Sequence, residues 1–296
     1  MIDLERRVAL VTGAGAGLGK AHALALARHN ARLVINDLSS EAVDAVVAEI
    51  VEQGGDAVGW AGSVADKGCV DAMVEHAERC LGPVDILVNN AGILRDRSFS
   101  KMSLEDFQTV IDVHLMGSVY CTKAVWEGMR ARSYGRILFT TSSSGLYGNF
   151  GQSNYSAAKM ALVGLMQTLG IEGEKYGIRV NCLAPSAATG MTERLYPPEL
   201  LRSLGAEAVS PAVVALSSCD APTRAIILAG AGGFSQAHIG MTRGIYLGAK
   251  ADIAGELISS FDVVGSREGE VVPVSGVDQH RYEVERMSQF SVAAQS

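Results

Sequence analysis

Short apolar runs alternate with longer amphipathic stretches along most of this chain, and few folds accept that rhythm. Residues 8–12 (V-A-L-V-T) are apolar up to the final threonine, as a strand covered on both faces requires. Further strands are predicted at residues 32–36, 57–61, 86–88, 137–141, 179–184 and 226–228. Between them lie helical stretches at 20–30, 40–53, 66–80, 103–132 and 155–176. Ser39 or Ser40, and then Ser103, stand where N-caps belong, and Gly54-Gly55 stop the second helix. No hairpin signal joins neighbouring strands, so they are expected to run parallel, with helices crossing over both faces of one sheet. The expected architecture is a single doubly wound α/β domain over residues 1–243. Residues 244–296 have mixed polarity and read as a C-terminal extension that packs on the same domain or on a neighbouring subunit.

In such a sheet, ligands bind beyond the carboxyl ends of the strands. The loop Gly13-Ala14-Gly15-Ala16-Gly17-Leu18-Gly19 leaves the first strand and opens the first helix. Glycines there let the backbone approach a pyrophosphate, and a helix N-terminus offers free N–H groups and a partial positive charge. A glycine-rich turn alone is a weak signal. Asp37 strengthens it, eighteen residues after Gly19 at the end of the second strand. A carboxylate in that place accepts hydrogen bonds from an adenosine ribose 2′-OH and repels a 2′-phosphate. Leu38 follows, where a phosphate-binding site would want Lys or Arg. The pattern predicts a Rossmann fold that takes NAD in preference to NADP.

Tyr155 and Lys159 are four residues apart at the start of a predicted helix, so their side chains share one face. An ammonium beside a phenol favours the phenolate, which would make a better base of a group with an ordinary pKa of about 10. Ser142, thirteen residues before Tyr155, ends the strand at 137–141 and can turn toward that helix. Ser142, Tyr155 and Lys159 together can move a proton on or off an oxygen. Tyr-x-x-x-Lys is a common spacing, and the strand-end motifs around it decide its meaning.

Four motifs in chain order, each at a strand end, resemble the short-chain dehydrogenases/reductases. They are Thr12-Gly13-x-x-x-Gly17-x-Gly19, Asn89-Asn90-Ala91-Gly92, Ser142, and Tyr155-x-x-x-Lys159. Longer stretches, N-N-A-G-I-L-R-D-R-S-F and S-G-L-Y-G-N-F-G-Q-S-N-Y-S-A-A-K, are similar to the (3R)-hydroxyacyl-CoA dehydrogenase units of the type 2 multifunctional enzymes, also called 17β-hydroxysteroid dehydrogenases type 4. The likeness spans most of residues 4–235, without the hydratase and sterol-carrier domains of those enzymes, so a stand-alone dehydrogenase is expected.

The resemblance implies that Tyr155 exchanges the hydroxyl proton while hydride moves to or from a nicotinamide. Lys159 would lower the phenol's pKa and hold the nicotinamide ribose, and Ser142 would bond the substrate oxygen. Asn89, Ala91 and Gly92 would line the adenosine side, with Ser63 and Val64 near the adenine, where many relatives have Asp-Val. Residues 185–192, with Pro185 and Ala188, would form a loop over the nicotinamide, and residues 191–204 a substrate lid. His114 stands where the family commonly has a relay asparagine; it either carries the relay, with a pKa near 6.5, or only packs and bonds the backbone. The implied reaction is NAD-dependent oxidation of a secondary alcohol, a 3-hydroxyacyl-CoA to its 3-oxo form. A free 17β-hydroxysteroid is the alternative substrate, and the implied assembly is a homodimer or homotetramer.

Composition removes other classes. Acidic residues outnumber basic ones 32 to 25, and no basic run offers a nucleic-acid surface. No apolar run reaches the ~18 residues of a membrane span. The five cysteines include no C-x-x-C, so free thiols are expected, and no metal site is read from the histidines. With no leader and an Ala-Gln-Ser ending, the expected compartment is the cytoplasm. A non-catalytic dinucleotide sensor is the reading from another class, and it leaves Ser142, Tyr155 and Lys159 without a use.

Overall fold

Val8–Thr12 forms β1, and all five residues are buried because it runs in the middle of an eight-stranded sheet. The structure is a computed structural model that describes residues 2–188, 203–248 and 252–293. The other strands are β2 (Arg32–Asp37), β3 (Ala57–Ala61), β4 (Val84–Asn89), β5 (Gly135–Thr140), β6 (Ile178–Ser186), β7 (Ile226–Gly230) and β8 (Gly233–Ala237). Their order across the sheet is β3-β2-β1-β4-β5-β6-β7-β8. Strands β1 to β7 pair in parallel, as the alternation of strand and helix requires. Winding reverses between β1 and β4, so the connections leaving these two neighbours diverge and open a crevice at their carboxyl ends.

Successive residues of β1 serve opposite faces. Ala9 and Val11 join one core with α1 (Gly17–Arg28), α2 (Ser40–Glu52) and α8 (Ser210–Ser217). Val8 and Leu10 join another with α3 (Lys67–Leu81), α5 (Gly117–Arg132) and α7 (Ser153–Gly173). The result is three layers, helix, sheet and helix. Ser39 caps α2 by accepting from the Ala42 N–H, and Asp66 caps α3 through the Cys69 N–H.

Three local expectations change. The helix expected over 103–132 is capped by Ser103 but interrupted: α4 (Leu104–Ile111) passes into a π-helical turn at Asp112–Met116 before α5. One wide turn swings His114 into the protein, a use of π-turns common at functional sites. Ser142 lies beyond β5 and caps α6 (Ser143–Tyr147), accepting from the Ser144 N–H at 3.2 Å. Strand β8 pairs antiparallel with β7 across a two-residue turn, Ala231 (φ +50°) and Gly232 (φ +77°). Left-handed φ at both positions suits a tight hairpin, but Ala-Gly is a weak turn signal and β8 is a polar edge strand.

The chain divides into two compact units, Met1–Ala237 and His238–Ser296. The second holds α9 (Ile253–Ser259), α10 (Phe261–Val264) and α11 (Gly276–Ala293). Thr242 bonds the Val264 carbonyl at 2.7 Å, and Arg286 donates to the Thr242 carbonyl at 3.1 Å. Among the described residues, no helix is long and apolar enough to cross a membrane, and no group of three or more His, Cys, Asp or Glu could hold a metal ion.

Burial in the first unit keeps one histidine neutral. His22 is fully enclosed, its Nδ1 lies 2.9 Å from the Ser210 hydroxyl, and its Nε2 has no partner among the described residues. Desolvation pushes its pKa down to about 4. The unfolded chain therefore binds a proton near pH 6.5 that the folded chain refuses until about pH 4. Stability from this site is complete above pH 6.5 and declines as pH falls toward 4, by up to about 3 kcal/mol. Replacing His22 with Gln should flatten the fall in melting temperature between pH 7 and pH 4.5. Parallel melting curves for the two proteins would contradict this.

Candidate active site

The crevice between β1 and β4 is a cavity of about 670 Å³. Gly13, Gly17, Leu18 and Gly19 form one wall, and Asp37, Leu38, Ser63 and Val64 close one end. Ala91, Gly92 and His114 lie along the floor, with Ser142, Tyr155, Lys159 and Pro185 at the other end. Two expected members are absent. Asn89, the last residue of β4, points to the opposite face and donates to Thr122 Oγ1 at 3.4 Å; Asn90, one residue on, lines the cavity instead. Ala188 does not line it, while Ser186 and Ala187 do. Of the expected lid and loop, residues 189–202 lie outside the described residues.

Residues at the ends of β1, β2 and β4 shape the cavity. The Thr12 hydroxyl accepts from the N–H groups of Asn90 and Ala91 at 3.0 and 3.1 Å, and Asn90 Nδ2 donates to the carbonyls of Thr12 and Gly13, both at 3.0 Å. These bonds clamp the glycine loop to the turn after β4. Asn36 Nδ2 does similar work, bonding the carbonyls of Trp60 and Gly62 at 3.1 and 3.0 Å. Sequence reasoning missed Thr12, Asn36 and Asn90 as shaping residues. Their signal was a polar residue closing an apolar strand at the end where ligands bind.

Gly13 has φ +61°, and a Cβ there would lie 2.8 Å from Ala91 Cα, so the turn accepts only glycine without strain. No side chain caps α1, whose first residues line the cavity, leaving its N-terminal N–H groups for a ligand. Asp37 is pinned by the N–H groups of Gly15 at 2.9 Å and Leu38 at 2.7 Å. Among the described residues, Lys159 is the one lysine or arginine lining the cavity, and it lies with Ser142 and Tyr155 rather than with Asp37. A backbone cradle, an open helix N-terminus and an oriented carboxylate fit a dinucleotide.

At the other end, burial governs charge. Lys159 is only 3% exposed and donates to the Thr140 carbonyl at 2.6 Å; desolvation pushes its pKa down to about 7. Tyr155 moves the other way. Burial raises its phenol, the facing Ser142 hydroxyl lowers it, and the Asp96 carboxylate raises it further. Against the expectation from Lys159, the phenol is raised overall rather than lowered, because its own burial dominates; the lysine bonds Thr140 and lies 5.5 Å from the ring centroid.

His114 stands edge-on to Tyr155, with ring centroids 5.2 Å apart, and its Nε2 lies 2.8 Å from the Ile93 carbonyl. A Cβ on Gly92 would strike this ring, so glycine lets it close over the turn. Burial, then the Lys159 charge, pushes its pKa down to about 3. The histidine is therefore neutral at physiological pH, and a titration near 6.5 is corrected.

A family model described as short chain dehydrogenase matches residues 7–199. The chain is 48% identical over 230 residues to the peroxisomal multifunctional enzyme type 2 of Mus musculus, covering 74% of this chain and 31% of that one. It is 46% identical over 204 residues to a 3-oxoacyl-[acyl-carrier-protein] reductase of Synechocystis, covering 68% and 83%. The solved full-length peroxisomal multifunctional enzyme type 2 of Drosophila melanogaster superposes with a TM-score of 0.82 and 36% identity, over 96% of this chain and 49% of that one. The chain spans between a quarter and a third of the length of the multifunctional relatives of yeast and mouse.

The buried lysine makes a stability prediction. Between about pH 7 and its ordinary 10.5, the unfolded chain keeps a proton on Lys159 that the folded chain releases. The penalty is absent above pH 10.5, grows as pH falls, and is complete below about 7. Lys159→Met should raise the melting temperature at pH 7 by on the order of 5 °C more than at pH 10. Equal changes at the two pH values would rule this out.

Proposed function

The chain belongs to the short-chain dehydrogenase family, and on that premise we propose that it oxidises the hydroxyl of a 3-hydroxyacyl-CoA to the 3-oxo form with NAD. One observation carries the reading: Ser142, Tyr155 and Lys159 share a single cavity with the glycine loop and Asp37. Family membership sets the sensor reading aside. Support for the acyl thioester comes from the relatives, one named as a hydratase-dehydrogenase-epimerase and another as an oxoacyl reductase.

The N–H groups at the start of α1, with Gly13, Gly17, Leu18 and Gly19, would hold the pyrophosphate. Asp37 would accept from the adenosine ribose, and Ser63, Val64, Ala91 and Gly92 would line that half. Lys159 and Tyr155 would hold the nicotinamide ribose, with Pro185 beside the ring. When bound, NAD supplies the hydride acceptor. The protein's own work is to manage the proton. Tyr155 takes it from the substrate hydroxyl in oxidation and returns it to the carbonyl oxygen in reduction, while Ser142 donates to that oxygen as charge builds on it. A phenol raised by burial stays protonated, and oxidation by this route quickens as pH rises and the phenolate forms. Neutral His114 orients the Tyr155 ring. The same proposal takes residues 1–243 as the catalytic domain and a homodimer or homotetramer as the working assembly.

Tyr155→Phe should lower turnover about a thousandfold or more while leaving NADH binding, followed by fluorescence, intact. Retained turnover would overturn the assignment. Because Asp37 repels a 2′-phosphate, kcat/KM should favour NAD over NADP by roughly a hundredfold; NADP preference would refute the cofactor reading. A steady-state screen of fatty acyl-CoA, steroid-CoA and free steroid alcohols tests the substrate. Faster oxidation of free steroids would transfer the reading to a hydroxysteroid dehydrogenase.

A further inference from the structure

Asp96 lies between two arginines yet forms no ion pair with either. Arg95 reaches away to Asp106 at 3.6 Å, and Arg97 donates to the backbone carbonyl of Asp96 at 3.3 Å. The carboxylate turns inward: Oδ2 accepts from Gln152 Nε2 at 2.7 Å, and Oδ1 is buried without a hydrogen-bond partner among the described residues. Gln152 is 4% exposed and lines the cavity. A carboxylate can only accept, so it fixes the amide with its nitrogen toward Asp96 and its oxygen toward Asn149 Nδ2, at 3.1 Å.

Gln152 is the N-cap position of α7 and makes no side-chain cap. The start of that helix is secured from the 95–97 segment instead. The Arg97 N–H bonds the Gly151 carbonyl at 2.9 Å, and Asn154 Nδ2 bonds the Arg95 carbonyl at 3.1 Å. Asn154 Oδ1 then accepts the Tyr155 N–H at 2.8 Å, a group the first turn of a helix leaves unsatisfied.

We propose that Asp96, acting through Gln152, is a positioning residue for Tyr155: the pair fixes the first turn of α7 and sets a negative charge beside the acid/base site. The inference rests on the reading of Tyr155 as that acid/base residue. The titratable and polar groups around the phenol are Lys159 from its own helix, His114 from the π-turn, Ser142 from the cap of α6 and, by way of Gln152, Asp96 from the loop after β4. His114 is neutral and Lys159 is turned to Thr140, while the Asp96 carboxylate, behind burial, disfavours the phenolate. Arg95 and Arg97 leave that charge unneutralised. The site is thereby biased toward a protonated tyrosine, the form that gives a proton in carbonyl reduction.

The test uses the full chain with Asp96→Asn, which keeps the shape and an acceptor but removes the charge. The Tyr155 midpoint is read from the 13Cζ resonance of labelled tyrosine, assigned by its loss in Tyr155→Phe, alongside the pH profile of kcat for NAD-linked oxidation. Asp96→Asn should lower the midpoint and move the rise of kcat to lower pH, each by about 0.5–1 unit, with KM changed less than about twofold. Asp96→Ala, which also breaks the brace, should lose about tenfold more kcat. An unmoved midpoint in a folded Asp96→Asn protein overturns the proposal. If that variant fails to fold, Gln152→Lys should lower the midpoint by pairing the Asp96 carboxylate with a cation, and an unmoved midpoint there overturns it equally. A moved midpoint without turnover on any alcohol would sink the dehydrogenase reading alone.

Discussion

The bonds between Thr12 and Asn90 hold together the place on which everything else depends. They join the ends of β1 and β4, adjacent strands whose connections depart to opposite faces of the sheet. Diverging connections necessarily leave a crevice, and the bonds keep it at one width. With the clamp in place, the glycine loop can lie close to Ala91 without closing the cavity, and the first N–H groups of α1 remain available. Strand order thus makes the crevice, and side-chain bonds of modest individual worth give it a definite shape.

The two ends of the cavity are built on opposite principles. At Asp37 the carboxylate is satisfied by two backbone N–H groups and stays near solvent, so its charge is cheap to keep. At Tyr155 the surroundings are dry. A lysine, a phenol and an imidazole are all pushed toward their neutral forms there, because burial penalises whichever form is charged. Apart from the Asp96 carboxylate, the groups around the phenol therefore carry little charge at rest. Such burial also lowers stability: buried polar groups such as His114 Nδ1 and Asp96 Oδ1 have no hydrogen-bond partner among the described residues. Such groups concentrate where function outweighs packing.

Much of the site was legible in the residues. Tyr155 and Lys159 reveal themselves by helical spacing, Gly13 to Gly19 by their place between a strand and a helix, and Asp37 by its place at a strand end. Each signal is local, a few residues of chain whose geometry the secondary structure already dictates. Asn89 against Asn90 was not legible, because one residue decides which face of the sheet a side chain serves and the strand's end must be known to within that residue. The direction of the Tyr155 shift was not legible either. Spacing brings the lysine near, but burial decided the outcome, and burial belongs to no single segment.

The sequence by itself determined the parallel sheet, the order of its strand-end motifs, and the placing of a glycine loop after the first strand and of Ser142, Tyr155 and Lys159 after the fifth. Strands buried on both faces must be apolar throughout, and strand–loop–helix motifs are short-range. Only the tertiary structure decided the protonation states, the π-turn that brings His114 against Tyr155, and the brace from Asp96 to Gln152. Those depend on contacts between residues far apart in the chain and on how much water the folded protein excludes, quantities that exist only once the layers have closed.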